Sequence, residues 1–198
     1  MDDAKDAADI AERYFSDPVG YVRDVIGVDP DTWQDETLLD ISENQRVAVA
    51  SGHGIGKTAL IAWVIHWYIS TRPDPQIVVT ANTKNQLDTK TWRELAKWNK
   101  QASNSRLFEQ SATKFALRAS ADTWFASAIP WTEHNAEAFA GTHEENVLVL
   151  FDEASNIAQS IWDVIEGAVS TCPRTRLTRA PSSRAATVAG KLGLDGRA

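Results

Sequence analysis

Apolar residues along this chain fall into distinct spacings, and each spacing predicts a different element. In "KTALIAWVIHWYIST" they surround the helix on every side, so this segment is expected to be buried rather than laid on a surface. "QRVAVASG", "PQIVVTAN" and "NVLVLFDEAS" are short apolar runs rich in Val, Ile and Leu and bounded by polar or turn-forming residues, the reading of a buried strand. "TKNQLDTKTWRELAKWNKQA" spaces its apolar positions at helical intervals among charges, an amphipathic helix. "DAKDAADIAERYF", "DPVGYVRDVIG" and "DPDTWQDETLLDISE" read as N-terminal helices, the second opened by Asp17 and Pro18. "KFALRASADTWFASA" reads as a hairpin turning near Ser120 to Asp122, and "AQSIWDVIEGAVS" as a closing helix. Buried strands alternating with helices predict an α/β fold with a mainly parallel central sheet flanked by helices.

The pattern stops near Thr171. From there, "CPRTRLTRAPSSRAATVAGKLGLDGRA" has no Trp, Phe or Tyr and no sustained period. Residues 172–198 are therefore expected to form a basic tail without stable structure. Residues 1–45 are a helical lead-in and residues 46–171 a core. Charge divides at the same boundary. The chain of 198 residues carries −7, but the tail holds six basic and one acidic side chain, which leaves −12 on residues 1–171. An acidic body does not announce nucleic-acid binding, though it leaves room for a local basic groove. The start is acidic and polar, unlike a secretory signal, and no apolar run approaches the roughly 20 residues that span a bilayer. One cysteine, Cys172, forms no internal disulfide, which fits a reducing cytoplasm.

Candidate chemistry begins at "SGHGIGKTAL". A phosphate-binding loop has Gly, four residues, then Gly-Lys-Ser/Thr. Gly56, Lys57 and Thr58 fit, while Ser51 stands where glycine is usual and need only make the turn into the loop. The strand before and the buried helix after supply the context the chemistry needs. Backbone N–H groups of Ser51, Gly52, His53, Gly54, Ile55 and Gly56 through Thr58 can wrap phosphates at a helix N-terminus. Lys57 would reach the β- and γ-phosphates, and Thr58 would give a hydroxyl to Mg²⁺. Asp152 and Glu153 end the third buried strand. Asp152 is expected to orient the water shell of Mg²⁺, and Glu153 to act as general base on the attacking water. Alone, this pair would read as helix-capping acids. Upstream, Gln34 in "TWQDETL" has an amide that can donate and accept at once, as the adenine edge requires. The expected ligands are ATP and Mg²⁺.

Several other residues have plainer readings. His66 lies mid-helix among Trp63, Trp67 and Tyr68, a packed histidine. His134 and His143 lack partners at metal spacing, although His143 could sense the γ-phosphate. Trp92 and Trp98 read as core, and Lys84, Lys90, Lys97 and Lys100 as a solvated face with a possible DNA-tracking role.

In order, "TWQDETL", "VAVASGHGIGKTAL", "VVTANTKNQ", "AFAGTHEENVLVLFDEAS" and "IWDVIEGA" resemble the ATPase domain of the large terminase subunit of tailed phages and prophages, over about residues 15–171. The resemblance implies a P-loop NTPase of the additional-strand class shared with helicases, and an ATPase that drives double-stranded DNA into a procapsid. It also implies a homo-oligomeric ring on a portal, a small terminase subunit as partner, a C-terminal nuclease domain and action in the bacterial host cytoplasm, with no membrane. The sequence departs from that pattern after Ser170. The nuclease domain and the apolar strand that couples hydrolysis to motion are missing, so the expectation is an ATPase fold incomplete at its C-terminus, from a truncated prophage copy. A helicase-like P-loop ATPase and a non-catalytic nucleotide-binding remnant remain alternatives.

Overall fold

The structure, a computed structural model, describes residues 3–44, 46–50, 54–81, 83–130, 145–152, 175–176 and 185–190. The N-terminal segment is helical throughout, with α1 (Asp3–Tyr14), α2 (Pro18–Tyr21), a π-helical continuation over Val22–Ile26, and α3 (Thr32–Glu43). Asp17 caps α2, its carboxylate accepting from the Gly20 N–H at 2.8 Å, and Pro18 occupies the first turn, where no N–H is needed. Gly27 ends the π-helical stretch at φ 78°, a left-handed conformation that favours glycine.

Strand β1 (Arg46–Ala50) leads to α4 (Lys57–Thr71), and β2 (Gln76–Thr80) follows. The spacing predicted α4 residue for residue. From Leu60 to Thr71 every side chain is buried, which an amphipathic helix could not achieve. The next helix runs as α5 (Lys84–Gln86), a π-helical stretch (Leu87–Trp92) and α6 (Arg93–Gln101). A three-stranded antiparallel meander follows, β3 (Phe108–Gln110), β4 (Lys114–Leu117) and β5 (Phe125–Ala128), and then β6 (Val147–Phe151), buried along its whole length. Two further strands are β7 (Thr175–Arg176) and β8 (Ala185–Gly190).

These strands form one sheet in the order β1-β8-β6-β2-β5-β4-β3, with β7 paired to the start of β6. The sheet is mixed rather than mainly parallel. Its centre is parallel, β2 pairing with both β5 and β6. The meander is antiparallel because its connections are too short for a crossover. The second departure is β8, which lies antiparallel to both β1 and β6. Part of the segment expected to lack structure thus sits inside the sheet. Without it, β1 and β6 would each present an unpaired backbone edge. β4 and β8 run against the other strands, so β1 and β6 point the same way with one reversed strand between them.

The core gathers α4, the faces of α1 and α6, and the inner faces of β2, β5 and β6. Polar groups inside it are joined in a network. The Tyr21 hydroxyl donates to His66 Nδ1 at 2.7 Å, His66 Nε2 donates to Asn99 Oδ1 at 3.0 Å, and Ser70 and Asn104 bond the same hydroxyl. His66 is thus a packed core residue, as the sequence suggested. Arg72, just past α4, is buried under the ring of Phe15, 4.0 Å from its centroid, and donates to the Phe15 carbonyl at 2.7 Å. It ties the N-terminal helices to the end of α4.

Candidate nucleotide site

The site grows from the end of the sheet where β1, β2 and β6 terminate. Register fixes their relation. Across β8, Ala50 pairs with Ala185 and Phe151 with Thr187. The loop after β1 and Asp152 after β6 therefore leave the same sheet edge, two strand spacings apart, roughly 10 Å.

The loop is described from Gly54 onward; Ser51, Gly52 and His53 lie outside the described residues. Gly54 has φ 78° and Gly56 φ 91°, left-handed values that side chains rarely tolerate. A Cβ on Gly54 would meet nothing within 4 Å, so its backbone is bare toward open space. Ile55 between them is 37% exposed, an apolar side chain held out of the core. Lys57 opens α4, and the Leu60 N–H makes a bond back to the Gly56 carbonyl at 3.1 Å. The N–H groups of Lys57, Thr58 and Ala59 precede that ladder, at the positive end of a helix of 15 residues. Lys57 and Thr58 are both half-buried. Bare glycine backbone, a helix N-terminus, a lysine and a hydroxyl fit a polyphosphate with its divalent cation.

Asp152 follows β6 and is 4% exposed. Its N–H bonds the Thr80 carbonyl at 2.9 Å, which locks the ends of β2 and β6 together. Its carboxylate accepts from the Thr91 hydroxyl at 2.8 Å. The Thr80 hydroxyl is buried with no hydrogen-bond partner among the described residues. A buried carboxylate at the end of a central strand has the chemistry to help hold a hydrated cation. Among the described residues, no group of three or more His, Cys, Asp and Glu could hold a metal ion. Glu153 and His143, the other sequence candidates near this strand, lie outside the described residues, as does His134.

Gln34 takes a different part from the one expected. It is 4% exposed, and its amide is committed within the protein. Its Oε1 accepts from the Asp31 N–H at 2.8 Å, half of a capping box at the start of α3, and its Nε2 donates to the Gly56 carbonyl at 3.3 Å. The adenine edge would compete with both bonds. Gln34 braces the loop instead, and a Cβ on Gly56 would come within 2.9 Å of its Nε2. The signal was in the sequence, since Asp31 and Gln34 have capping-box spacing, but periodicity alone does not say where the amide nitrogen points. Between α3 and β1, next to Ile55, lies an open cavity of about 300 Å³ whose walls include Trp33, Thr37, Glu36 and Asp40. A larger cavity of about 540 Å³, between α1 and the β3-β4 meander, is mostly apolar and lined by none of the predicted site residues.

Trp92 and Trp98 are core residues, 4% and 9% exposed, their indole N–H groups bonded to the Ser111 carbonyl and to Glu94. Lys84, Lys90, Lys97 and Lys100 are exposed, and Lys84 and Lys97 pair with Asp88 and Glu94. No helix among the described residues is long and apolar enough to cross a membrane.

No protein-family model matches the chain. It is 25% identical over 146 residues to a probable terminase large subunit of Enterobacteria phage P7, an alignment covering 70% of this chain and 30% of the relative. The chain thus spans less than a third of that protein's length. Among solved structures it resembles the large terminase of bacteriophage HK97, with TM-score 0.60 and 16% identity over 81% of this chain and 36% of that one. It also resembles the large terminase ATPase domain of Thermus phage P74-26, with TM-score 0.60 and 15% identity over 84% of this chain and 70% of that one. Sequence and fold therefore agree on one resemblance, to the large subunit of phage terminases.

Proposed function

We propose that this chain is the ATP-binding and hydrolysing part of a phage-type DNA-packaging motor. One observation carries the reading. A loop with two left-handed glycines runs into Lys57 at the start of α4, at the same sheet edge as the buried Asp152. The resemblance to large terminases, one of them an ATPase domain by name, supports it.

In this reading the loop from Ser51 to Gly56 and the first turn of α4 bind the phosphates of ATP through backbone N–H groups. Lys57 balances their charge. Thr58 and Asp152 hold Mg²⁺, which when bound would neutralise charge on the phosphate oxygens. Glu153, next in sequence to Asp152, takes the proton of the attacking water. The base of ATP lies outside Gln34, whose amide serves the loop; the open cavity beside Ile55 and Trp33 is the adjoining concavity. Double-stranded DNA, a portal, a small terminase subunit and a ring of identical copies are the partners this role calls for. The exposed Lys84, Lys90, Lys97 and Lys100 are the basic side chains α5 and α6 could turn toward DNA.

Glu153→Gln keeps the side chain's shape and removes the base. The expected result is retained ATP binding with phosphate release at least about 100-fold slower. Hydrolysis by the variant at the wild-type rate would remove Glu153 from the mechanism. Binding without turnover in the wild type would leave a nucleotide-binding chain without catalysis.

A further inference from the structure

Two donors converge on one carbonyl where the loop enters α4. The Gly56 oxygen accepts from the Leu60 N–H at 3.1 Å, the first rung of the helix, and from Gln34 Nε2 at 3.3 Å, 22 residues back in sequence. A carbonyl oxygen has two lone pairs, and here each has a donor. The Gln34 amide is itself held. Its Oε1 accepts from the Asp31 N–H at 2.8 Å in the first turn of α3, and the residue is buried. The brace therefore runs from the N-terminus of α3 to the N-terminus of α4.

What the brace fixes follows from the peptide unit. The Gly56 carbonyl and the Lys57 N–H share one plane, and no peptide bond among the described residues is cis, so the two groups point in opposite directions. A carbonyl held along α4 by two donors turns the Lys57 N–H toward the N-terminal end of the helix. Gly56 is where this plane could turn most freely, since it has no Cβ and stands at φ 91°. The contact is also close: a Cβ on Gly56 would come within 2.9 Å of Gln34 Nε2. We infer that Gln34 is a positioning residue for the phosphate chain, setting the peptide plane at the loop's entry into α4, and that what it adds to nucleotide affinity is the same whatever the base. This rests on the nucleotide reading proposed above. A group that acts through the loop strengthens every ligand carrying the same phosphates, whereas a group that reads the adenine edge strengthens adenine nucleotides alone.

The test is isothermal titration of the full chain with ATP, GTP and inorganic tripolyphosphate, each with Mg²⁺. Gln34→Met keeps the length of the side chain and removes the donor. It should weaken all three ligands by the same factor, about fivefold for one lost hydrogen bond. A loss confined to ATP would make Gln34 a reader of adenine, which overturns the inference and leaves the nucleotide reading standing. Unchanged affinity for all three would leave Gln34 only the capping of α3, and overturns it too. Should Gln34→Met fail to fold, Gln34→Glu, which keeps the acceptor for the Asp31 N–H, takes its place with the same expectation of equal losses. Binding of none of the three by the wild type overturns the nucleotide reading, and this inference with it.

Discussion

His66 shows what a single buried polar residue does in this fold. It is fully buried against Phe108 and Phe115, with Tyr21 and Asn99 on its two ring nitrogens. Burial pushes its pKa down from 6.5 to about 4, with the Asn99 bond opposing the shift. Between those values the unfolded chain binds a proton that the native chain does not. Stability from this group is therefore complete above about pH 6.5 and lost as pH falls toward 4, at up to about 1.4 kcal/mol per pH unit. Urea unfolding at pH 7.5 and pH 5 should show this loss in the wild type, and a smaller one in His66→Gln, which cannot titrate. Equal losses in the two proteins would mean that carboxylates alone govern the acid limb. The residue scale was only partly legible in the sequence. A histidine among tryptophans in an all-apolar helix announces burial, but its partners Tyr21 and Asn99 lie far off in sequence. Gln34 poses a related problem. An amide can serve a base or a backbone equally well, and only the geometry of the Asp31 N–H and the Gly56 carbonyl decides.

Elements were legible where burial was extreme. α4 is apolar on all sides and was read to its last residue; β2 and β6 are short Val, Ile and Leu runs and were read as buried strands. The π-helical stretches were not, because a single widened turn leaves the apolar spacing of a helix almost intact. β3 is three residues long, below what periodicity can mark. β8 was missed because "AATVAG" does not alternate apolar with polar residues; its place comes from the unpaired edges of β1 and β6, a tertiary property. Val188 pairs with Val47 on one side and Leu150 on the other. Proline there has no N–H to give and distorts a central ladder. Val188→Pro should lower the denaturant midpoint and raise the tendency to aggregate through the exposed edges of β1 and β6. A variant with the wild-type midpoint and solubility would show that β8 contributes nothing to the sheet.

At the scale of the whole molecule, the sheet's crossover strands do the organising. β1, β2, β5 and β6 share one direction, so the loop after β1 and the acid after β6 end at one edge, although about 100 residues separate them in sequence. That convergence is why two short motifs, each weak alone, make one candidate site. The reversed β8 separates them without moving either from that edge. The account depends on one charge being aimed at phosphate. Lys57 opens α4 and sits on the surface side of the helix's buried run, so Lys57→Ala removes the charge while the hydrophobic packing of α4 from Leu60 onward is untouched. Isothermal titration of the wild type and Lys57→Ala with ATP and Mg²⁺ measures this directly, with thermal unfolding of the free proteins as control. The account predicts saturable binding by the wild type, loss of measurable binding in the variant and similar unfolding midpoints. Equal affinity in both proteins, or no binding by the wild type, would contradict it.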